Sequence, residues 1–445
     1  MTLPANHPPP LNGSDPPVAA AALTAPSLPA DDLDESPRPS LWPRAWRAAL
    51  LAFAVSRFVV LLGAWIGTQQ LLAADPGRTK GPLVEGALMW DATWYWRIVH
   101  DGYFAWTPET GSNLAFCPLY PALVRGLMAG FDVIGLHVGD PVYGNFVLAG
   151  LLISNLSFLA ALAILWRLVR QEHPASVADR TLLLVAVFPT GLFWSAIYTE
   201  SVFFLLVVAV FWLGRQEHWA LASLLAGLAA ITRWAGLLLG VVLLLEYIFR
   251  PPIEADSWGA RVRAVFRPSL LWLALVPVPL LLYSGWLQST FGNGLIFLEA
   301  EQKGWEHVST LFPQVWLDSL GMVIQSWQTT TPATDPVLGW GGGQRLYIYQ
   351  DLGFSLLFAG LAVGAWWRGL LGAPEFAWLV LGVIFPLSLG TTMAVTRYLL
   401  PLWPAFMLLA RGFERRPGLE RGWLLVSGGL LLVTTYFWAS GHWIA

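Results

Sequence analysis

Two carboxylates, one arginine, one histidine and five aromatic rings fall within the fifteen residues from Met89 to Tyr103, Met-Trp-Asp-Ala-Thr-Trp-Tyr-Trp-Arg-Ile-Val-His-Asp-Gly-Tyr. The stretch follows the first long apolar segment, so its acids stand at the edge of a hydrophobic layer. A carboxylate is costly to hold there and usually marks a functional position. An interfacial belt of aromatics with incidental charges has a similar composition. The other charges in the chain separate the two readings.

Three further polar motifs interrupt apolar sequence at span boundaries: Tyr198-Thr199-Glu200, Arg233-Trp234 and Arg397-Tyr398. A glutamate and two arginines at such tight turns are expected to pair with one another or to bind something. Asp91 is the first choice for a general base that takes a proton from a hydroxyl. Its aromatic neighbours partly desolvate it and raise its basicity. Asp101 and Glu200 compete for that role, and Glu200 has the alternative of pairing with Arg233 or Arg397 to pin helices. His100 reads as structural. The guanidinium groups of Arg233 and Arg397 suit a phosphate, which they can grip bidentately, with Lys303 and Arg345 as secondary candidates. Trp90, Trp94, Tyr103, Tyr198, Trp234 and Tyr398 can stack on a sugar or line a groove for an isoprenoid chain. Aromatics at this depth also occur as belts.

Metal and cofactor chemistry are not expected. No group of acids has metal spacing, and the single cysteine, Cys117, excludes an internal disulfide and a Cys-rich metal site. There is no P-loop, HExxH or GxGxxG, and Gly339-Trp340-Gly341-Gly342-Gly343 reads as a turn rather than a phosphate cradle.

Only 12% of the residues are charged and the mean hydropathy is +0.58. Soluble chains carry about 25% charge, so this is an all-α polytopic membrane protein. The net charge of −3 points to no nucleic-acid partner. Residues 1–40 are rich in proline and poor in aromatics, which predicts a disordered tail. The membrane domain then runs over 45–445. Apolar spans are expected near 48–72, 144–166, 181–197, 201–214, 219–232, 235–249, 269–289, 352–367, 375–391, 398–411 and 423–441, about eleven in all. Arg57 lies within the first and must face protein or snorkel.

With these spans, sixteen basic residues share one side, among them Arg44, Arg47, Arg167, Arg215, Arg411 and Arg421, and eight lie opposite. Basic loops stay cytoplasmic, so the N-terminus is expected inside and the C-terminus outside. Counting the apolar stretch Pro118–Leu136 as a span would reverse every later loop. It reads instead as a re-entrant or interfacial helix on the outer side, interrupted by Arg125 and Asp132. Two long, aromatic, acidic loops, 73–143 and 290–350, then face outward, and the four polar motifs converge on the outer face. Arginine far outnumbers lysine, represented only by Lys80 and Lys303, a bias of GC-rich bacterial genomes.

The motifs also carry a resemblance. Trp90-Asp91, Ile98-Val99-x-x-Gly102-Tyr103 and Phe116-x-Pro118-Leu119-Tyr120-Pro121 resemble the first external loop of PIG-V-type mannosyltransferases. So do Phe188-Pro189 through Ser195-x-x-Tyr198-Thr199-Glu200-Ser201, then Thr232-Arg233-Trp234-Ala235-Gly236 and Arg397-Tyr398-x-x-Pro401-x-x-Pro404. The run Phe297–Trp305 also resembles PIG-V-like bacterial sequences. The chain departs from the pattern at Trp234-Ala235, at Cys117, and after Gly102-Tyr103, where only Glu109 could replace the usual acid.

The resemblance implies a GT-C-like fold; together with the arginine bias and the loop asymmetry, the expectation is a bacterial plasma-membrane enzyme with an external active site. It implies a polyprenyl-phosphate sugar as donor, mannose transfer to a hydroxyl of a glycan, lipid or protein acceptor, inversion, and Asp91 as the acid of the first external loop. A transporter or flippase of lipid-linked glycans is the rival; it should show internal repeats and broken spans near mid-membrane. The arginine distribution predicts that cysteines placed at Thr107 and Gly418, in a Cys117→Ser background, label from opposite sides of the membrane. Labelling from one side would overturn the eleven-span arrangement.

Overall fold

The computed structural model describes residues 41–249 except 79 and 108, residues 266–305 and 312–328, and residues 340–444 except 391 and 443. The expected tail over 1–40, Arg250, Arg261, Arg263 and part of the 290–350 loop lie outside the described residues, as does the Arg345 side chain. Among the described residues the chain is helical, and its one strand-like feature is an isolated bridge between Thr107 and Gly111.

These residues form seventeen α-helices, in order. The first seven are α1 (Trp42–Ala74), α2 (Pro82–Ala87), α3 (Asp91–Asp101), α4 (Leu119–Val133), α5 (Gly144–Arg170), α6 (Ala175–Ala186) and α7 (Glu200–Arg215). Then come α8 (Trp219–Ala230), α9 (Leu238–Phe249), α10 (Val278–Phe291), α11 (Ile296–Trp305) and α12 (Phe312–Gln328). The last five are α13 (Trp340–Arg368), α14 (Ala373–Leu387), α15 (Val395–Leu399), α16 (Trp403–Phe413) and α17 (Pro417–Ala439). Among the described residues, five segments are long and apolar enough to cross a membrane: 42–74, 144–170, 268–291, 346–368 and 417–439. The chain is therefore a multi-pass membrane protein.

The remaining expected spans are present as shorter helices. The span expected over 181–197 is not continuous, because α6 stops at Ala186 and only a 3-10 turn, Gly191–Trp194, precedes α7. The span expected over 398–411 is divided between α15 and α16 across Pro401. The stretch Pro118–Leu136 holds the 15-residue α4, about 22 Å long. Both Arg125 and Asp132 on α4 are exposed.

Irregular backbone inside a bundle must have its polar groups bonded by protein. The 187–199 break meets that condition with side chains from three other helices. Arg57 of α1 is only 6% exposed, so it faces protein rather than snorkelling. It donates to the Gly191 carbonyl at 3.1 Å and to Ser195 Oγ, and lies 5.0 Å from the Phe158 ring. Ser154 Oγ donates to Ala196 O at 2.8 Å, and Ser427 Oγ donates to Val187 O at 2.8 Å.

The break also sets the depth of Glu200. Arg215, at the far end of α7, donates to Leu168 O of α5 at 2.9 Å, which levels the lower ends of the two helices. From Arg215 to Glu200 is about 22 Å, whereas α5 rises about 36 Å from Leu168 to Gly144. Glu200 thus lies on the order of 14 Å below the top of α5. The same Arg215 is 3% exposed and joins Glu375 of α14, Glu172 at 3.5 Å and Glu246 of α9 at 3.8 Å.

The first and last long helices close the bundle. A methyl on Gly67 would sit 2.4 Å from Tyr436 O and 2.9 Å from Ala439 Cβ, so α1 and α17 touch backbone to backbone. Gly67→Val is expected to destabilise the protein by about 1–3 kcal/mol through overpacking, lowering its thermal midpoint in detergent. Gly422→Ala, on α17 with nothing within 4 Å of the new methyl, should leave the midpoint unchanged or raise it.

Candidate active site

Four elements distant in sequence meet at the level where α7 begins. Asp91 is the first residue of α3, Glu200 the first of α7, Arg233 caps the 3-10 turn after α8, and Arg397 lies in α15. Arg397 stands between the two acids: Nη1 donates to Asp91 Oδ2 at 3.1 Å, and Nε and Nη2 approach Glu200 Oε1 at 3.0 and 2.9 Å. The same Glu200 oxygen accepts from Arg233 Nη1 at 2.6 Å, which also reaches Thr199 Oγ1 at 3.3 Å. The result is a quartet of two cations and two anions, its side chains between 1% and 14% exposed. Phe193 and Tyr198 lie under the Arg397 guanidinium at 4.6 and 4.8 Å, and Tyr398 lies 4.6 Å from that of Arg233.

The two arginines differ in what they have left to offer. All three nitrogens of Arg397 face carboxylates, whereas Nε and Nη2 of Arg233 hydrogen-bond to nothing among the described residues. Asp91 likewise uses only Oδ2, leaving Oδ1 open. Burial pushes the Asp91 carboxyl above the ordinary range; Arg397 and Arg233 pull it down, and the Glu200 charge adds to the rise.

The backbone at Trp90 aims Asp91. Trp90 has φ +54 and ψ −117, a region normally left to glycine at the first central position of a II′ turn. The hydroxyl of Tyr198 holds it from both sides, accepting from Asp91 N–H at 3.1 Å and donating to Met89 O at 3.3 Å. Arg397 follows a second such residue, Ala394 at φ +63. Asp351 of α13 fixes that turn, its Oδ1 accepting from the Thr396 N–H at 2.8 Å and the Thr396 hydroxyl at 2.5 Å.

Asp91, Arg233 and Arg397 line a cavity of about 770 Å³. Thr199, Trp234, Tyr398, Cys117, Glu301 and Gln302 are among its polar and aromatic lining, and Trp234 stacks on Phe297 at 4.1 Å. Its apolar wall includes Leu237 and Leu238 at the start of α9, Leu280 of α10, and Phe385, Pro386 and Leu389 around the end of α14.

Other expected site residues fall elsewhere. Asp101 is at the far end of α3, about 15 Å from Asp91 along the axis, half exposed and 2.7 Å from His100 Nδ1. Trp94 stacks on Phe116, and Tyr103 bonds Phe116 O at 2.9 Å and packs on Tyr283 and Trp286. Lys303 is exposed and pairs with Glu299 at 3.7 Å. Sequence reasoning missed Asp351, although an acid inside a long apolar helix is itself a signal. It also passed over Glu301 and Gln302, whose amphipathic surroundings do not single them out.

This is a polytopic helical membrane protein with a recessed, charge-balanced carboxylate–guanidinium site beside an apolar wall. Residues 78–287 are similar to the family model described as Mannosyltransferase (PIG-V), a stretch that holds Asp91, Glu200 and Arg233 but stops short of Arg397. GPI mannosyltransferase 2 of Cryptococcus neoformans is 26% identical over 46% of this chain and 48% of its own. That of Chaetomium globosum is 29% identical over 40% and 42%, respectively. The chain spans about half the length of the first of these relatives. Among solved structures, the Archaeoglobus fulgidus oligosaccharyltransferase tethered to an acceptor peptide aligns with 86% of this chain and 55% of its own, at 13% identity and a TM-score of 0.45.

Strain at Trp90 is testable without an activity assay. Holding a side chain in that region costs on the order of 1–3 kcal/mol. Trp90→Gly and Trp90→Ala lose the same ring, but only glycine accepts the backbone angle. The glycine variant should therefore melt higher than the alanine variant. Equal midpoints would mean that the turn is unstrained.

Proposed function

We propose that this protein is a GT-C-class glycosyltransferase that moves a sugar, mannose in the reading the family match favours, from polyprenyl phosphate to an acceptor hydroxyl. The observation that carries the reading is a single cavity holding three things. It has a carboxylate with one open oxygen, a guanidinium with two free nitrogens, and an apolar wall suited to an isoprenoid chain.

In the proposed step Asp91 Oδ1 accepts the proton of the acceptor hydroxyl. The acceptor oxygen bonds to the anomeric carbon as the bond from that carbon to the phosphate oxygen breaks, and the electron pair leaves with the lipid phosphate. Attack opposite the leaving group inverts the anomeric centre. The free nitrogens of Arg233 meet the charge growing on the phosphate. Arg397, engaged on all three nitrogens, acts as a positioning residue that orients Asp91 and Glu200. No metal enters this scheme, because Asp91 and Glu200 already face two guanidinium groups instead of an open cation site. The basic-residue asymmetry supports an external site.

The broken segment 187–199 bears on the transporter alternative. In transporters, unwound backbone lines the substrate site. Here several of its carbonyls are taken by Arg57, Ser154, Ser201 and Ser427. That favours a structural break supporting a transferase site.

Asp91→Asn keeps the shape and removes the proton acceptor. In an assay with polyprenyl-phosphate mannose and membrane lipid extract, turnover should fall by about 10² or more, with donor binding retained. The acid limb of the pH–rate profile should lie above the ordinary carboxylate range, since the base must be deprotonated and burial raises its pKa. Glu200→Gln, which removes the shared partner of two buried arginines, should lower thermal stability more than turnover per folded molecule. Near-normal turnover in Asp91→Asn with none in Glu200→Gln would assign the base to Glu200.

A further inference from the structure

A second cavity of about 460 Å³ lies on the other side of the α3 N-terminus and shares no lining residue with the first. Consecutive residues divide the two: Trp90 lines the second cavity and Asp91 the first. Three cations line it, Arg78, Lys80 and Arg97, with one acid, Glu85. That acid is already engaged, Oε2 with Arg78 Nη1 at 3.0 Å and Oε1 with the Lys80 N–H at 3.3 Å.

Two of the cations keep their charge available. Lys80 Nζ sits 4.2 Å from the centre of the Tyr143 ring, and Arg97 lies over Phe104 and Trp94 at 4.3 and 5.1 Å. Neither pairs with an acid among the described residues; Arg97 makes one long contact, 3.4 Å, to Thr110 O. Trp96, which also lines the cavity, packs on Tyr143 at 4.9 Å. Cations held against ring faces, with indole and phenol surfaces beside them, suit a ligand that is both anionic and ring-bearing.

We infer that this cavity is an anion subsite that takes a phosphate group attached to a sugar or headgroup, next to the residue that carries Asp91. With the proposed transferase reading, on which this assignment of role rests, the phosphate belongs to the acceptor and steers it to the site. The same phosphate chemistry could reach the cavity on a bilayer lipid.

The test is direct binding, independent of transfer. The full chain in zwitterionic phosphatidylcholine nanodiscs is titrated with mannose 6-phosphate and with uncharged methyl mannoside, as wild type and as the Lys80→Gln/Arg97→Gln double variant. Wild type should bind the phosphosugar, and bind it less tightly at high salt. The double variant should bind it about tenfold or more weakly, with an unchanged thermal midpoint. Equal affinity for methyl mannoside, or equal binding by the variant, would overturn the inference.

Adding phosphatidylglycerol to the nanodiscs distinguishes the sources. Competition with the phosphosugar identifies a lipid headgroup as occupant, whereas undiminished binding supports a soluble or acceptor-borne phosphate. Where transfer is measurable, an acceptor role requires a raised acceptor KM with unchanged donor KM. A chain that binds the phosphosugar but transfers nothing keeps the anion subsite and removes only the transferase reading.

Discussion

The architecture depends on one buried guanidinium. Arg397 holds Asp91 and Glu200 together across 306 and 197 residues of chain, and Arg233 balances the second acid. Isolated charges at this level would be severely penalised, so burial is tolerable only because two cations meet two anions. Each member comes from a different segment, so the charge balance is also a folding constraint. Segments that fail to converge leave an unpaired charge in an apolar surrounding.

Sinking that quartet below the outer ends of the long helices requires short helices around it. α7, α8 and α9 have 16, 12 and 12 residues, against 33 in α1 and 27 in α5. The shortening exposes backbone within the bundle, and Arg57, Ser154 and Ser427 satisfy it. An arginine that looks like a misplaced charge within an apolar span is thus part of the support for the site. Arg215 performs a related task at the other end of α7, tying α5, α9 and α14 to it.

The helical membrane class and the convergence of Asp91, Glu200, Arg233 and Arg397 were legible because charges are rare in apolar sequence and each one stands out. What was not legible depends on three-dimensional register. Nothing in the spacing of Arg233 and Arg397 tells which would be fully engaged, since that follows from Glu200 Oε1 accepting from both. The span expected over 181–197 followed hydropathy across Pro189-Thr190-Gly191, a turn signal that ends the helix after Ala186. Asp101 resembled Asp91 in composition, yet the two stand at opposite ends of α3 and only Asp91 reaches the cavity.

The pairing of Asp91 with Arg397 by itself opposes a role as base, because a neighbouring cation lowers proton affinity. In the proposed reading the opposition is what links the two substrates. The quartet is neutral as it stands, so a donor phosphate meeting Arg233 brings unbalanced negative charge into a poorly hydrated site. That charge counteracts the positive potential that both arginines place on Asp91 and raises its affinity for a proton. Asp91 is then most basic when a donor is in place. As the bond to the sugar breaks, further charge collects on the phosphate, where Arg233 gains more in the transition state than in the ground state. A site with Arg233 fully engaged, as Arg397 is, would hold Asp91 equally well but would lose this response.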